Sequence, residues 1–113
     1  MTTATTDALS PAASAFVSGE AKPLLIGAEH RPAADGRTFA TLDPATGDEI
    51  CQVALAGPAD VDAAVSAAQA ALDGPLRKVS AAKRSGLIYQ LAELVKANAD
   101  ELAELESLDN GKP

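Results

Sequence analysis

The sequence predicts an α/β chain in which a small antiparallel sheet or hairpin comes first and three amphipathic helices follow. Two observations carry this. Between Leu24 and Leu55, short apolar runs are separated by turns bearing Gly and Pro, the pattern of short strands. From Val61 onward the apolar residues recur at three- and four-residue spacings, which gathers them on one face of a helix.

The elements follow in order. Residues 1–22 are rich in Thr, Ala and Ser without sustained periodicity, so a flexible leader is expected, with Phe16 and Val17 able to pin part of it. Leu24-Leu25-Ile26-Gly27 reads as a short strand turning at Gly27, and Thr38 to Leu42 as a second strand after the Asp35-Gly36 turn. In Asp43-Pro44-Ala45-Thr46-Gly47, Pro44 fixes φ, Asp43 can accept from the following backbone, and Gly47 can supply a positive φ. Ile50 to Leu55 is the third strand, with Cys51, Val53 and Leu55 on one face.

Gly57-Pro58-Ala59-Asp60 is a helix start, with Pro at the first helical position and a carboxylate facing the positive helix end. Val61, Ala64, Val65, Ala68 and Leu72 form the apolar stripe that follows, and Gly74-Pro75 ends it. Ser80 caps a second helix with Leu87, Ile88, Leu91, Leu94 and Val95 on its apolar face. Asn98 offers a break, and a short third helix spans Asp100 to Leu108. Asn110-Gly111 then reads as a helix stop, with Pro113 barring resumption, so a turn into a further element is expected.

Composition narrows the function. A length of 113 residues suits one small domain, and a net charge of −7 argues against nucleic acid or an acidic membrane surface as partner. Arg77, Lys78, Lys83 and Arg84 cluster, but around a loop and helix start in an acidic chain, as a solvated surface does. One cysteine excludes an internal disulfide and fits a reducing cytoplasm, where the protein is expected. No apolar stretch reaches the length of a membrane span, and residues 1–22 lack the basic start and apolar segment of a secretory signal.

Four motifs in order carry a family resemblance. Ile26-Gly27-Ala28-Glu29 stands where the family commonly has Ile-Asn-Gly-Glu; Asp43-Pro44-Ala45-Thr46-Gly47-Asp48-Glu49 is similar to Asn-Pro-Ala-Thr-Gly-Glu. Asp60-Val61-Asp62-Ala63-Ala64-Val65 resembles the opening Asp-Val-Asp-x-Ala-Val, and Leu105 to Pro113 is nearly the family wording throughout. From about Leu24 to Pro113 the chain therefore resembles the N-terminal part of the NAD(P)-dependent aldehyde dehydrogenases.

The resemblance implies that residues 23–113 open a Rossmann-like dinucleotide-binding domain, truncated at its C-terminal end. The implied parent enzyme takes a small aldehyde and NAD or NADP, is a homo-oligomer, and works by covalent catalysis: a thiolate attacks the carbonyl, hydride leaves to the nicotinamide, and water releases the acyl group. The residues for that chemistry lie beyond Pro113 in the family, so this chain is expected to hold no catalytic or cofactor-binding residue. The rival expectation is an autonomous, non-catalytic helical module that binds a protein partner.

Three residues stand out individually. Cys51, beside Val53 and Leu55 on a strand and close to Asp48 and Glu49, reads as a small buried hydrophobe rather than a reactive thiol. His30 is the sole histidine and falls in the loop expected after the first strand, as a surface residue. Asp109 sits in the last turn of a helix, where a carboxylate faces the negative dipole end at a cost of up to about 1 kcal/mol unless a cation offsets it. Lys112 is one candidate for that cation. The resemblance implies another, a monovalent ion held by the Asp109 carboxylate and the main-chain oxygens of Thr41 and Leu42; such hard ligands suit K⁺ or Na⁺.

Overall fold

The computed structural model describes residues 9–112. Within them nine elements follow one another: α1 (Pro11–Val17), β1 (Leu24–Ile26), β2 (Glu29–Arg31), β3 (Thr38–Leu42), β4 (Glu49–Ala54), α2 (Pro58–Asp73), a 3₁₀ turn (Pro75–Lys78), α3 (Ala81–Ala97) and α4 (Ala99–Asn110). The strands form two separate antiparallel hairpins, β1 with β2 and β3 with β4.

The first hairpin departs from the single strand expected at Leu24–Gly27. Gly27 has φ +67° and Ala28 φ +95°, so both residues of the two-residue loop are left-handed, as the tightest hairpin turn demands. The chain therefore doubles back at once, pairing Ile26 with Glu29 and Leu25 with His30. His30 lies on this return strand and not in a loop.

The second hairpin follows its turn chemistry. The Asp43 carboxylate accepts the Ala45 N–H at 2.8 Å, and the Asp43 carbonyl accepts the Gly47 N–H at 2.7 Å. Gly47 takes φ +79°, and Asp43 is buried among these bonds. The ladder slips once, between Thr41 and Leu42: Thr41 faces Cys51 while Leu42 faces Glu49, leaving Ile50 as the extra residue of a bulge.

Where composition suggests a flexible leader over 1–22, residues 11–17 are helical. Ser10 caps this helix, its hydroxyl accepting the Ala13 N–H at 3.3 Å, and Pro11 stands in the first turn. Two further bonds tie it to α4: the Ser10 N–H donates to Glu104 Oε1 at 2.8 Å and its hydroxyl donates to Oε2. These bonds hold the Glu104 carboxyl below the usual range. Ala13 and Val17 are buried. Lys22 then bridges to Val53 in parallel fashion, adding a backbone seam along β4. Residues 1–8 of the expected leader lie outside the described residues.

Asp60 organises the helix start. Its carboxylate accepts N–H groups from Gly57 at 3.0 Å and from Ala34 at 3.1 Å, with Arg31 Nη2 at 3.5 Å. The Gly57 N–H contributes most to holding the Asp60 carboxyl below its usual value. Burial opposes this, and Ala34 and Arg31 assist. One side chain thus caps α2 and fastens it to the loop after β2.

The face of α2 that is covered here is a second one, its alanine side. Asp60 is buried, and Ala63, Ala67 and Ala71 are half-buried, at offsets of three, seven and eleven residues that share one helical face. An added Cβ on Gly27 would lie 3.4 Å from the Ala67 Cβ, so the alanine face rests directly on the first hairpin. Val61, Val65 and Leu72 point outward, each more than half exposed. Every residue of α3 is exposed, Leu87, Ile88, Leu91, Leu94 and Val95 included.

The buried apolar side chains among the described residues are accordingly few and small: Ala13, Val17, Ala33 and Ala54. The radius of gyration is 17.4 Å, against about 13 Å for a compact domain of this size. The chain is thus less compact than a closed domain of its length.

Candidate functional site

The end of α4 returns to the second hairpin. Gly111 caps the helix in the left-handed conformation, φ +67° and ψ +20°, and its N–H donates to the Ser107 carbonyl at 2.9 Å. A Cβ on Gly111 would stand 2.9 Å from Pro44 Cγ. The Asn110-Gly111 stop thus presses the helix end onto the Asp43-Pro44 turn, and Asp109 arrives beside β3.

A cavity of about 430 Å³ opens at this junction, and both Thr41 and Asp109 line it. Leu42 does not line it, and its side chain is 54% exposed. The structure therefore brings Thr41 and Asp109 to one cavity; the expected ligand from Leu42 is its main-chain oxygen and not this side chain.

Other groups share the space. Glu106 adds a second carboxylate, while Val53 and Leu108 supply apolar wall. Lys112 Nζ lies 3.8 Å from Glu106, so the Lys112 ammonium partners Glu106 and not Asp109. Lys22 also reaches this cavity, although by composition it belongs to the leader. Its Nζ donates to the Ser18 carbonyl at 3.0 Å and sits 5.2 Å from the Phe16 ring centroid. No local signal in the sequence marks Lys22, because its place depends on the turn after α1 and the bridge to β4.

Cys51 lies on the same wall and is half-buried, less enclosed than the sequence expects. Thr41 Oγ1 is 3.7 Å from its Sγ. Among the described residues no histidine or carboxylate hydrogen-bonds the thiol, so nothing pairs it with a base in the way a nucleophilic cysteine requires. His30 lies on β2 and lines a different cavity.

Thr41 and Asp109 both carry oxygen donors, a hard ligand type.

Comparison with known proteins places this geometry. Residues 30–113 match the aldehyde dehydrogenase family. A mitochondrial aldehyde dehydrogenase of Rattus norvegicus is 48% identical over 92 residues, which is 80% of this chain and 18% of that protein. A 2-hydroxymuconic semialdehyde dehydrogenase of Pseudomonas sp. CF600 is 49% identical over 80 residues, 71% of this chain and 16% of its own length. The NAD⁺ complex structure of an aldehyde dehydrogenase from Bacillus cereus superposes with a TM-score of 0.89 at 45% identity, covering 93% of this chain and 21% of that one. The chain belongs to the aldehyde dehydrogenase family and has part of that family's fold. It spans about one fifth of the length of the relatives it matches.

Proposed function

We propose that this chain forms the N-terminal part of the dinucleotide-binding domain, residues 23–113, of an NAD(P)-dependent aldehyde dehydrogenase that oxidises a small aldehyde to its carboxylate. The Bacillus cereus superposition carries the reading, because nearly all of this chain lies on about one fifth of a neighbour captured with NAD⁺. The exposed apolar faces agree with it. Val61, Val65 and Leu72 on α2, and Leu87, Leu91 and Leu94 on α3, are surfaces shaped for burial against a larger sheet.

In this reading NAD(P)⁺ accepts the hydride, and residues 1–113 contribute scaffold rather than chemistry. Cys51 is half-buried with Thr41 as its hydrogen-bond neighbour, and we assign it no catalytic role. No glycine-rich phosphate loop stands between a strand and a helix in the sequence. The 113-residue chain alone is therefore inactive. The parent enzyme is a homo-oligomer of the reducing cytoplasm, a placement supported by the single free cysteine; among the described residues no helix is long and apolar enough to cross a membrane.

The same proposal includes a K⁺ or Na⁺ site formed by Asp109 and the main-chain oxygens of Thr41 and Leu42. Support comes from the cavity that Thr41 and Asp109 share and from the engagement of Lys112 with Glu106, which leaves Asp109 at a helix end without an ion-pair partner among the described residues.

A chimaera tests the main claim: this chain replaces the matching segment of the Bacillus cereus enzyme, and NADH formation from several aldehydes is followed. Activity in the chimaera, with none in purified residues 1–113, is expected. NADH formation by the 113-residue chain alone overturns the assignment of the chemistry, and a chimaera that folds but fails to turn over overturns the structural one.

A further inference from the structure

A second cavity has a different character. It measures about 580 Å³ and lies between the two hairpins, with His30, Arg31 and Arg37 on its walls. Among the described residues, Glu20 is the only carboxylate that lines it. In a chain with 16 acidic and 9 basic residues, a cavity whose walls carry Lys22, two guanidinium groups and the sole histidine against one carboxylate runs counter to the overall charge, with Asp60 and Asp35 engaging the two guanidinium groups from outside the lining.

Arg31 supplies the decisive observation. Its Nη2 reaches Asp60 Oδ1 only at 3.5 Å, and its Nε is buried with no hydrogen-bond partner among the described residues. A buried N–H without an acceptor is costly, and in a cationic group more so. Asp60 cannot easily do more for it, since its oxygens already take the N–H groups of Gly57 and Ala34. Arginine presents its donors as a planar fork that matches the two oxygens of a carboxylate. Beside Lys22 and Thr38, the wall has an apolar part at Pro32, Ala33 and Ala54, of which Ala33 and Ala54 are themselves buried. An ion with an apolar body therefore suits the space better than a bare, fully hydrated one.

We infer that this cavity binds a small organic carboxylate, its two oxygens taken by Arg31 with Arg37 alongside, and its hydrocarbon part laid against Pro32, Ala33 and Ala54. Arg37 is half of an exposed pair with Asp35, Nε to Oδ2 at 2.7 Å, a bond that water already weakens. The cavity meets the Asp109 cavity only at Lys22, which lines both, and the inference is independent of the dehydrogenase reading.

The test is titration of the 113-residue chain, followed by backbone amide shifts, with benzoate, benzamide and inorganic phosphate as probes. Benzoate is expected to shift the amides of Arg31, Ala33, Arg37 and Ala54 and to saturate, with benzamide at least about tenfold weaker for loss of the charge-assisted bonds. Phosphate is expected to bind more weakly than benzoate. Arg37→Gln should weaken benzoate several-fold, and Lys83→Gln, on the exposed α3 helix, should leave it unchanged. Equal binding of benzoate and benzamide, shifts confined to α3, or phosphate binding more tightly than benzoate overturns the proposal. The wild-type comparison of the probes decides the matter even if the Arg37 variant does not fold.

Discussion

Gly111, the left-handed cap of α4, lies so close to Pro44 in the β3–β4 turn that a methyl group on it would meet Pro44 Cγ at 2.9 Å. Two residues far apart in the chain thus fix where the last helix ends and what it ends against. Glycine is required there twice over, once for φ +67° and once for the approach of the proline ring. The contact is what delivers Asp109 to the cavity that Thr41 lines.

Gly111→Ala should therefore destabilise the chain by more than the roughly 1–2 kcal/mol of a left-handed non-glycine residue alone. Gly86 provides the contrast: it lies inside α3, and a Cβ added there would project into open space. Gly86→Ala should stabilise by about 0.5–1 kcal/mol, the helix propensity difference. Urea unfolding of both variants checks the pair. Equal effects of the same sign would refute the packing argument.

The turn at Gly27-Ala28 holds a residue that resists its conformation. Ala28 sits at φ +95°, where a Cβ is unfavourable and glycine is not. Ala28→Gly should raise stability by about 0.5–1 kcal/mol, in spite of the extra freedom that glycine gives the unfolded chain. The resemblance points the same way, since related sequences commonly carry Asn-Gly at these two positions. Thermal melts of the variant and the parent decide it, and an unchanged or lowered midpoint counts against a left-handed Ala28.

Acid should loosen the start of α2. Asp60 has its carboxyl held below its ordinary value, foremost by the Gly57 N–H. Because the unfolded chain takes up this proton at higher pH than the folded one, the stabilisation is complete above the ordinary value of 3.8 and is lost as pH falls through the lowered native one. Urea midpoints followed from neutral pH into this acid range should fall more steeply for the wild type than for Asp60→Asn. Parallel profiles would show that Asp60 is not responsible.

The proposed Asp109 site predicts an ion-specific effect. K⁺ or Na⁺ should raise the melting midpoint above that in a bulky organic cation at equal ionic strength, and Asp109→Ala should remove the difference. In a full-length parent the same change should leave the chemical step largely intact, because the carboxylate supports the fold and not the aldehyde. If Lys22→Gln abolishes the ion effect while Asp109→Ala does not, the ion lies elsewhere in the cavity.

Local chemistry was legible wherever its cause was local. The Asp43-Pro44 turn, the Gly57-Pro58 helix start, the Ser80 cap and the Asn110-Gly111 stop each stand where their residues put them, since each depends on bonds within a few positions. The return strand at Glu29–Arg31 was not legible, because its turn uses Gly27-Ala28 with alanine in an unfavoured region. Nor was α1, whose short run is held by Glu104, far along the chain. Of the Asp109 site, the helix end could be read from sequence and the cation pairing came only with the family resemblance.

By itself, then, the sequence determined the kinds and order of the main elements, the punctuation between them and the family, all encoded in spacing and turn residues. Tertiary structure alone decided which faces are covered. Both stripes of α2 have helical spacing, yet the alanine side of Ala63, Ala67 and Ala71 lies on the first hairpin while Val61, Val65 and Leu72 remain outside. Periodicity shows that a face is apolar. Close approach to Gly27 needs small side chains, and burial of the larger ones needs a partner surface, neither of which is written in the period of the helix.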